Sequence, residues 1–322
     1  MGEINRNTTL YELSHMKEFS QVGDRWIAGW EKQFREKKSL SVLGQEHPEW
    51  NSDDIVYGIR NLQRVAEHSE KYIYYPSKNE KVCLFHVPAE KRISNNWFLL
   101  CAGGAYGSVC TMVESLPVAA RLNELGYDCF CLNYTTASPG SFLTGLMPEP
   151  LEDLADSFRY IEKEFNLKAE NCFLGGFSAG GHLAGCYGLA EIGARKYGLA
   201  NPKGLLLVYP LISLNSFDDR KTRDFMTAGL FGIIHRNKTA GQYEIHEHID
   251  ILYPRTFYIS CRDDNTIPEN NPSLMKNSLD RNNIPNRFEL HDKGGHGFGL
   301  GNTNPGSDYV DRAVSFLEDE QK

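Results

Sequence analysis

This sequence has no excess of basic residues, no long apolar run and no C-x-x-C cysteine pair. Its 34 Lys and Arg face 42 Asp and Glu, which gives a formal net charge of −8. An acidic surface repels nucleic acid and anionic lipid, so we expect neither as a partner. No segment approaches the ~18 consecutive apolar residues that span a bilayer. The first ten residues, MGEINRNTTL, also lack the pattern of a secretory leader.

The eight cysteines form no C-x-x-C pair, and most of them lie in apolar runs. A thiol in such a run behaves as a small buried hydrophobe. With the missing leader, this predicts reduced core cysteines and a cytoplasmic location, and a crosslinked or metal-bound set is the alternative. His246 and His248 would share one face of a strand, but two histidines without a third ligand are a weak metal signal. We expect neither a metal nor a cofactor.

The first 70 residues differ in composition from the rest of the chain. They are charged and rich in Glu, Lys, Trp and Phe, and apolar positions have helical spacing in 11–19, 26–34 and 55–65. We interpret residues 1–70 as a helical N-terminal extension or cap. It serves either for packing and formation of a homo-oligomer, or as a wall of the substrate entrance.

Residues 71–322 have the pattern of one α/β domain. Short apolar, β-branched and aromatic runs alternate with helical stretches, which is typical of a mainly parallel sheet with helices on both faces. Strands are predicted at 72–75, 81–87, 96–102, 127–133, 171–176, 204–209, 256–261 and 286–291, and helices at 111–125, 149–166, 179–193, 271–283 and 306–319. The region 212–250 shows no clear periodicity, so we interpret it as a lid insertion.

A G-x-S-x-G motif, Gly176-Phe-Ser-Ala-Gly180, lies between a predicted strand and a predicted helix. A serine on such a strained turn is exposed, and the flanking glycines let the strand and helix approach closely. The N–H groups at the start of the helix favour negative charge at the reacting centre. We therefore predict Ser178 as a nucleophile and expect His182, just beyond the motif, to be a packed helix residue.

A second glycine-rich loop, Gly103-Gly-Ala-Tyr-Gly107, follows the strand predicted at 96–102. A loop in this position upstream of the nucleophile supplies a backbone N–H that binds an oxyanion, together with the residue after the serine. We assign the donors to Ala179 and to Gly104 or Ala105. The alternative is a tight turn with no catalytic part.

The C-terminal third supplies a base and an acid. His296 lies in a glycine-rich loop directly after the strand predicted at 286–291, and the pKa of a histidine suits a general base. Asp263 and Asp264 both follow the strand at 256–261. We favour Asp264, because the turn formed with Ile267 and Pro268 would present it, whereas Asp263 would point to solvent or cap the turn. Its role is to orient the imidazole.

These motifs together resemble the acetyl esterase and carbohydrate esterase branch of the α/β hydrolases, close to the hormone-sensitive-lipase-like and acetylxylan-esterase-like enzymes. The resemblance rests on LLCAGGAYG (99–107), LNELGYDCFCLNY (122–134), GGFSAGGHLA (175–184), LVYP (207–210) and GGHGF (294–298), and it covers residues 80–320. It implies an α/β-hydrolase fold and cofactor-free hydrolysis of small acyl esters, with acetylated sugars as a common substrate class. One departure is that Ala105 stands where the family loop has a third glycine.

The same residues fit other activities. A peptidase or amidase of this fold usually carries a large recognition domain, which the largely helical residues before the glycine-rich loop cannot build. A non-catalytic binding protein on this scaffold typically lacks a triad member, and all three are present here. Acyl transfer to an acceptor other than water uses every residue named above. We therefore favour hydrolysis of a small-molecule ester. We expect the acyl group to be small, with acetyl first, and the reaction to pass through an acyl-enzyme.

Overall fold

An eight-stranded sheet forms the centre of the protein, in a computed structural model that describes residues 3–301 and 308–319. The strands are β1 (Ile73–Tyr74), β2 (Cys83–Val87), β3 (Trp97–Cys101), β4 (Asp128–Asn133), β5 (Cys172–Phe177), β6 (Gly204–Val208), β7 (Arg255–Cys261) and β8 (Asn286–His291). Their order is β1-β2-β4-β3-β5-β6-β7-β8. Strand β2 is antiparallel to both neighbours, and all pairs from β4 to β8 are parallel. Every predicted strand is therefore present.

Ten α-helices lie in the described residues. They are α1 (Leu10–His15), α2 (Leu40–Glu46), α3 (Ser52–His68), α4 (Ser115–Glu124), α5 (Ser141–Thr144), α6 (Glu149–Phe165), α7 (Ser178–Tyr187), α8 (Arg220–Thr239), α9 (Asn271–Arg281) and α10 (Tyr309–Glu318). Helices α4, α6, α7, α9 and α10 occupy the positions predicted after residue 71. Residues 306 and 307 of the last predicted helix lie outside the described residues.

Four helix predictions needed correction. The helix predicted over 11–19 ends at His15, and a 3-10 helix follows at Lys17–Phe19. The segment 26–34 forms no α-helix, because Ala28 pairs with Val109 in an antiparallel bridge and Gly29 has a φ of 90°. Helix α4 starts four residues later than predicted, after a turn in which the carbonyl of Cys110 accepts the N–H groups of Val113 and Glu114. The helix predicted over 179–193 ends at Tyr187. Glycine at 188 favours that end, because it lowers helix propensity.

The region 212–250 contains α8, which consists of two helical segments that meet at Gly232 and that the sequence pattern did not predict. Its periodicity is broken by Gly232, which has a φ of 69° inside the helix. At this kink a Cβ on Gly145 would lie 2.8 Å from the carbonyl carbon of Phe231, so α8 lies directly on the end of α5. Within residues 3–301 and 308–319, no helix is both long enough and apolar enough to cross a bilayer.

The N-terminal residues share one apolar core with the sheet. Trp26, Ile59 and Leu62 are fully buried in the same cluster as the strand residues. All eight cysteines are buried and free, as predicted for core cysteines. Helix α3 lies against α4 so closely that a Cβ on Gly58 would be 2.6 Å from the nitrogen of Pro117.

We expect Gly58→Ala to destabilise the protein. Alanine favours a helix over glycine by about 1 kcal/mol, but its Cβ would also lie 2.8 Å from the carbonyl carbon of Leu116, and both neighbours are backbone atoms that must shift. A net loss of about 1–3 kcal/mol in the free energy of unfolding is the result expected from overpacking. Urea denaturation measures it.

Gly241→Ala is the matched control, since a Cβ at Gly241 has no neighbour within 4 Å among the described residues. That variant should keep the free energy of unfolding of the native protein. A Gly58→Ala variant as stable as the control would contradict the tight contact between α3 and α4.

Candidate active site

Ser178 lies at a sharp turn between β5 and α7. Its φ is 51°, in the left-handed backbone region that residues other than glycine rarely adopt. A Cβ on Gly176 would overlap the carbonyl oxygen of Gly180, and a Cβ on Gly180 would overlap that of Cys101. Both glycines are therefore required for the strand and helix to approach, and the predicted strand–turn–helix arrangement is present.

The structure brings Ser178, His296 and Asp264 together. His296 Nε2 lies 2.8 Å from Ser178 Oγ, and His296 Nδ1 lies 2.8 Å from Asp264 Oδ2. The side chains of His296 and Asp264 are 17% and 6% exposed, so water weakens their interaction little. With Nδ1–H donating to the carboxylate, Nε2 is free to accept the proton of the serine hydroxyl.

Asp264 itself is held by its own turn. Its Oδ1 accepts hydrogen bonds from the N–H groups of Thr266 (2.8 Å) and Ile267 (2.9 Å). These two bonds fix the carboxylate, which leaves Oδ2 to face His296. Of the two neighbouring aspartates, the one favoured from the sequence is the one that reaches the imidazole.

Asp263 faces solvent, as expected, with its side chain 33% exposed. It also accepts a hydrogen bond at 2.8 Å from the N–H of Gly295, the residue before His296, which the sequence did not predict. That hydrogen bond lowers the pKa of the Asp263 carboxyl. Asp263 therefore holds the loop that carries His296, without contacting the imidazole in the hydrogen bonds described.

The glycine-rich loop begins against the nucleophile. A Cβ on Gly103 would lie 2.8 Å from Ser178 Cβ. Gly104, Ala105 and Tyr106 then have φ values of 128°, 52° and 59°, which turn the loop sharply. Among residues 3–301 and 308–319, the N–H groups of Gly104 and Ala105 donate to no acceptor.

The third assigned donor, Ala179, is in the first turn of α7. N–H groups in a first helical turn lack an intrahelical acceptor. The three assigned donors thus lie on two segments that meet at Ser178.

A buried carboxyl group behind the site was missed from the sequence. Glu114 is 4% exposed and accepts hydrogen bonds from the N–H of Gly103 and from Tyr209 Oη (2.9 Å). Tyr209 Oη in turn accepts from the N–H of Gly299 at 3.0 Å, and its ring lies 4.9 Å from that of His296. Burial raises the pKa of Glu114, against the lowering effect of the two donors. The carboxyl thus joins the glycine-rich loop to the loop of His296.

A signal for Glu114 was available in the sequence. It is the one ionisable residue in the run from Thr111 to Ala120, TMVESLPVAA. An acidic residue in such a run is buried only when hydrogen-bonded or paired. What the run could not reveal is which groups of the folded chain would face it.

His182 is a packed helix residue, as expected. Tyr106 Oη donates to its Nδ1 at 2.8 Å, and its Nε2 donates to the carbonyl of Tyr243 at 3.0 Å. Burial lowers the pKa of His182 to about 4, so the ring is neutral at pH 7. The hydrogen bond from Tyr106 to His182 fixes Tyr106, and with it the glycine-rich loop, to the helix that follows Ser178.

The two histidines considered as metal ligands do not share a strand face. Ile245–Glu247 is a 3-10 helix, because the N–H of Glu247 bonds the carbonyl of Glu244. His248 Nε2 lies 2.8 Å from the carbonyl of Gly241. Across the described ranges, no group of three His, Cys, Asp or Glu side chains could hold a metal ion.

The hydrogen bonds of Glu114 predict a measurable coupling. Glu114→Ala leaves the Gly103 N–H and Tyr209 Oη without their acceptor, so we expect a loss of about 2–4 kcal/mol in the free energy of unfolding. Tyr209→Phe should cost less. The loss in the double variant should differ from the sum of the two single losses by about 0.5–3 kcal/mol, because both residues belong to one hydrogen-bond network. Urea denaturation of the four proteins measures this, and additive losses would show that the two groups act separately.

Comparison with protein families gives a match over residues 118–249 to a family described as having the α/β-hydrolase fold. An endo-1,4-β-xylanase B of Butyrivibrio fibrisolvens is 25% identical over 259 residues, which are 76% of this chain and 39% of that protein. An acetylxylan esterase of Xylanibacter ruminicola is 28% identical over 207 residues, 62% of this chain and 40% of that protein. The chain thus spans about two fifths of the length of these relatives.

Solved structures of similar fold cover most of the chain. An acetyl ester-xyloside bifunctional hydrolase from Caldicellulosiruptor lactoaceticus has a TM-score of 0.57 at 24% identity, over 76% of this chain and 89% of its own. A sugar hydrolase from Lactococcus lactis has a TM-score of 0.55 at 25% identity, over 76% and 99%. A Thermogutta terrifontis esterase has a TM-score of 0.62 at 16% identity, over 76% and 92%. With the mainly parallel sheet and the family match, these neighbours show that the protein has the α/β-hydrolase fold.

Proposed function

We propose that the protein is a serine esterase that hydrolyses acetyl esters, with acetylated carbohydrates as its substrate class. The observation that carries the proposal is the pair of 2.8 Å contacts that place His296 between Ser178 and Asp264. The names of two similar proteins, an acetylxylan esterase and an acetyl ester-xyloside hydrolase, support the choice of acetyl and sugar.

In the first half of the proposed reaction, His296 Nε2 takes the proton of Ser178 Oγ as the oxygen attacks the ester carbonyl. The carbonyl oxygen becomes an oxyanion, which the N–H groups of Ala179 and of Gly104 or Ala105 bind. Asp264 stabilises the imidazolium and stays ionised. When the C–O bond breaks, His296 returns the proton to the leaving alcohol, and an acetyl group remains on the serine.

In the second half, water takes the place of the alcohol. His296 removes one proton from the water, the hydroxide oxygen attacks the acetyl carbon, and the same N–H groups bind the second oxyanion. The bond to Ser178 Oγ then breaks, the serine regains its proton from His296, and acetate leaves. Each step uses only side chains and N–H groups that lie at the site.

The first test varies the length of the acyl chain in the ester and replaces Ser178. We expect the kcat/KM of p-nitrophenyl esters to fall from acetate to octanoate, because the proposed substrate is an acetyl ester. Ser178→Ala should lower kcat/KM for the acetate at least about 10³-fold, since it removes the nucleophile. Acetate release from acetylated xylooligosaccharide is assayed in parallel. No turnover of any ester, with cleavage of an amide instead, would favour a peptidase or amidase.

The two neighbouring aspartates give a matched pair for the acid. Asp264→Asn should lower kcat/KM on p-nitrophenyl acetate about 10³–10⁴-fold, because the amide can no longer hold the imidazole in the required tautomer. Asp263→Asn should lose less than about tenfold, because an amide oxygen can still accept the Gly295 N–H. Steady-state kinetics of both variants measure the difference. Equal losses would mean that Asp264 has no special role.

A further inference from the structure

The N-terminal segment reaches the glycine-rich loop beside Ser178. Ala28 and Val109 exchange two backbone hydrogen bonds, at 3.1 and 3.0 Å. The next residue, Gly29, lies so close that a Cβ there would be 2.7 Å from the carbonyl oxygen of Gly107. Residues 28 and 29 therefore form one side of the loop that carries the proposed oxyanion donors.

A later part of the same segment reaches the loop of His296. A Cβ on Gly297 would lie 3.1 Å from Glu49 Cγ and 3.8 Å from Trp50 Nε1. Gly297 is the residue directly after His296. The stretch from Ala28 to Trp50 thus borders both loops that bring the proposed catalytic groups together.

Three aromatic rings of this stretch contact one another. The His47 and Trp50 rings are stacked, with centroids 4.1 Å apart and planes 21° apart, and Trp30 lies 5.6 Å from each. All three side chains are only partly buried, whereas Trp26 of the same segment is fully buried. We name Trp30, His47 and Trp50 the aromatic platform.

We propose that the aromatic platform is the subsite for the sugar ring that carries the acetyl ester. The inference rests on the proposed function and assigns its alcohol part to particular residues. The face of an aromatic ring is electronegative, so it attracts the C–H groups on the flat face of a pyranose. A ring stacked there would lie beside both His296 and the oxyanion loop, where the alcohol must leave.

A charged neighbour suits the hydroxyl groups of the same sugar. Glu49 Oε1 lies 3.5 Å from His47 Nδ1, and the Glu49 side chain is 37% exposed. A carboxylate accepts hydrogen bonds from hydroxyl donors, which an apolar alcohol lacks. The platform and Glu49 therefore offer an apolar face beside a hydrogen-bond acceptor. This combination complements a sugar, which has C–H groups on its flat face and hydroxyl groups at its edge.

A groove with space for further sugar units lies next to residues 28–31. Its volume is about 750 Å³, and it is lined by residues 24–25, 79–81 and 133–138 together with Ala28, Gly29 and Glu31. The segment 133–138 also touches the glycine-rich loop, because the N–H of Ala137 donates to the carbonyl of Tyr106 at 2.7 Å. Two of the segments that line the groove thus meet the glycine-rich loop.

The test compares a sugar ester with an ester that has no ring. The readout is the ratio of kcat/KM for acetylated xylooligosaccharide to kcat/KM for ethyl acetate, both followed by acetate release. Trp50→Ala should lower this ratio about tenfold, mainly through KM, because the stacking contact is lost. Trp50→Phe, which keeps a ring, should retain more than half of the wild-type ratio.

Tyr11 provides a matched control. It is an exposed aromatic residue of the same N-terminal segment and also stacks on a histidine, with its ring 4.0 Å from that of His15. Tyr11→Ala should keep the wild-type ratio. Thermal melting of each variant shows whether it is folded, and Trp30→Ala tests the platform where Trp50→Ala does not fold.

Several outcomes would overturn the proposal. An unchanged ratio in Trp50→Ala would exclude a sugar contact, and equal losses on both esters would mean that Trp50 acts through the His296 loop. Wild-type turnover of ethyl acetate without turnover of the sugar ester would also exclude the subsite while leaving the esterase intact. Absence of Ser178-dependent turnover of every ester would instead contradict the proposed function.

A binding measurement tests the platform without turnover. Unacetylated xylooligosaccharide is titrated into Ser178→Ala, and isothermal titration calorimetry measures Kd without depending on any tryptophan. Adding Trp50→Phe to that variant should weaken Kd less than threefold, and adding Trp50→Ala should weaken it about tenfold. Equal Kd values in the three proteins would contradict the platform even if the protein hydrolyses no ester.

Discussion

The close approach of helix α7 to the end of strand β3 is the constraint on which the site depends. Gly180 lies against the backbone of Cys101 and Ala102, where any side chain would overlap a carbonyl oxygen. This contact brings the first turn of the helix, with Ser178 and Ala179, within reach of the glycine-rich loop that leaves β3. A side chain at Gly180 would push α7 away from β3 and separate the serine from the proposed oxyanion donors. The geometry of the site therefore depends on the absence of a Cβ at Gly180, as it does at Gly176.

The second requirement is that two loops far apart in the sequence keep a fixed distance. Glu114 provides this by accepting a hydrogen bond from the first loop at Gly103 and one from Tyr209, which in turn accepts from the second loop at Gly299. A buried carboxyl is costly unless its oxygens are hydrogen-bonded, so each bond of this network also stabilises the fold. The Tyr209 ring packs against His296, so the same residues limit where the imidazole can move. The position of the His296 ring thus depends on Tyr209 and Glu114 as well as on Asp264.

The sequence was sufficient for the strands and for the meeting of Ser178, His296 and Asp264, because each follows a strand and parallel strands end at one edge of a sheet. It was insufficient where a contact distant in the chain decides the structure. Residues 26–34 have helical spacing, yet they form turns and the start of a 3-10 helix around the bridge between Ala28 and Val109. The same limit applies to Asp263, whose partner is 32 residues away, and to Glu114, whose partner Tyr209 is 95 residues away. Helix α8 was missed for a local reason, since Gly232 interrupts its periodicity.

In the proposed function, the N-terminal segment separates the choice of substrate from the reaction. Its contacts with the glycine-rich loop are made by backbone atoms of Ala28 and Gly29, so they persist when neighbouring side chains change. Its side chains at 30, 47 and 50 contact one another and border the His296 loop, while Ser178 and Asp264 are held by other elements. Substitutions on the platform can therefore change which alcohol fits without moving the serine or the acid. A segment with these contacts is where the choice of substrate can vary while the reaction stays the same.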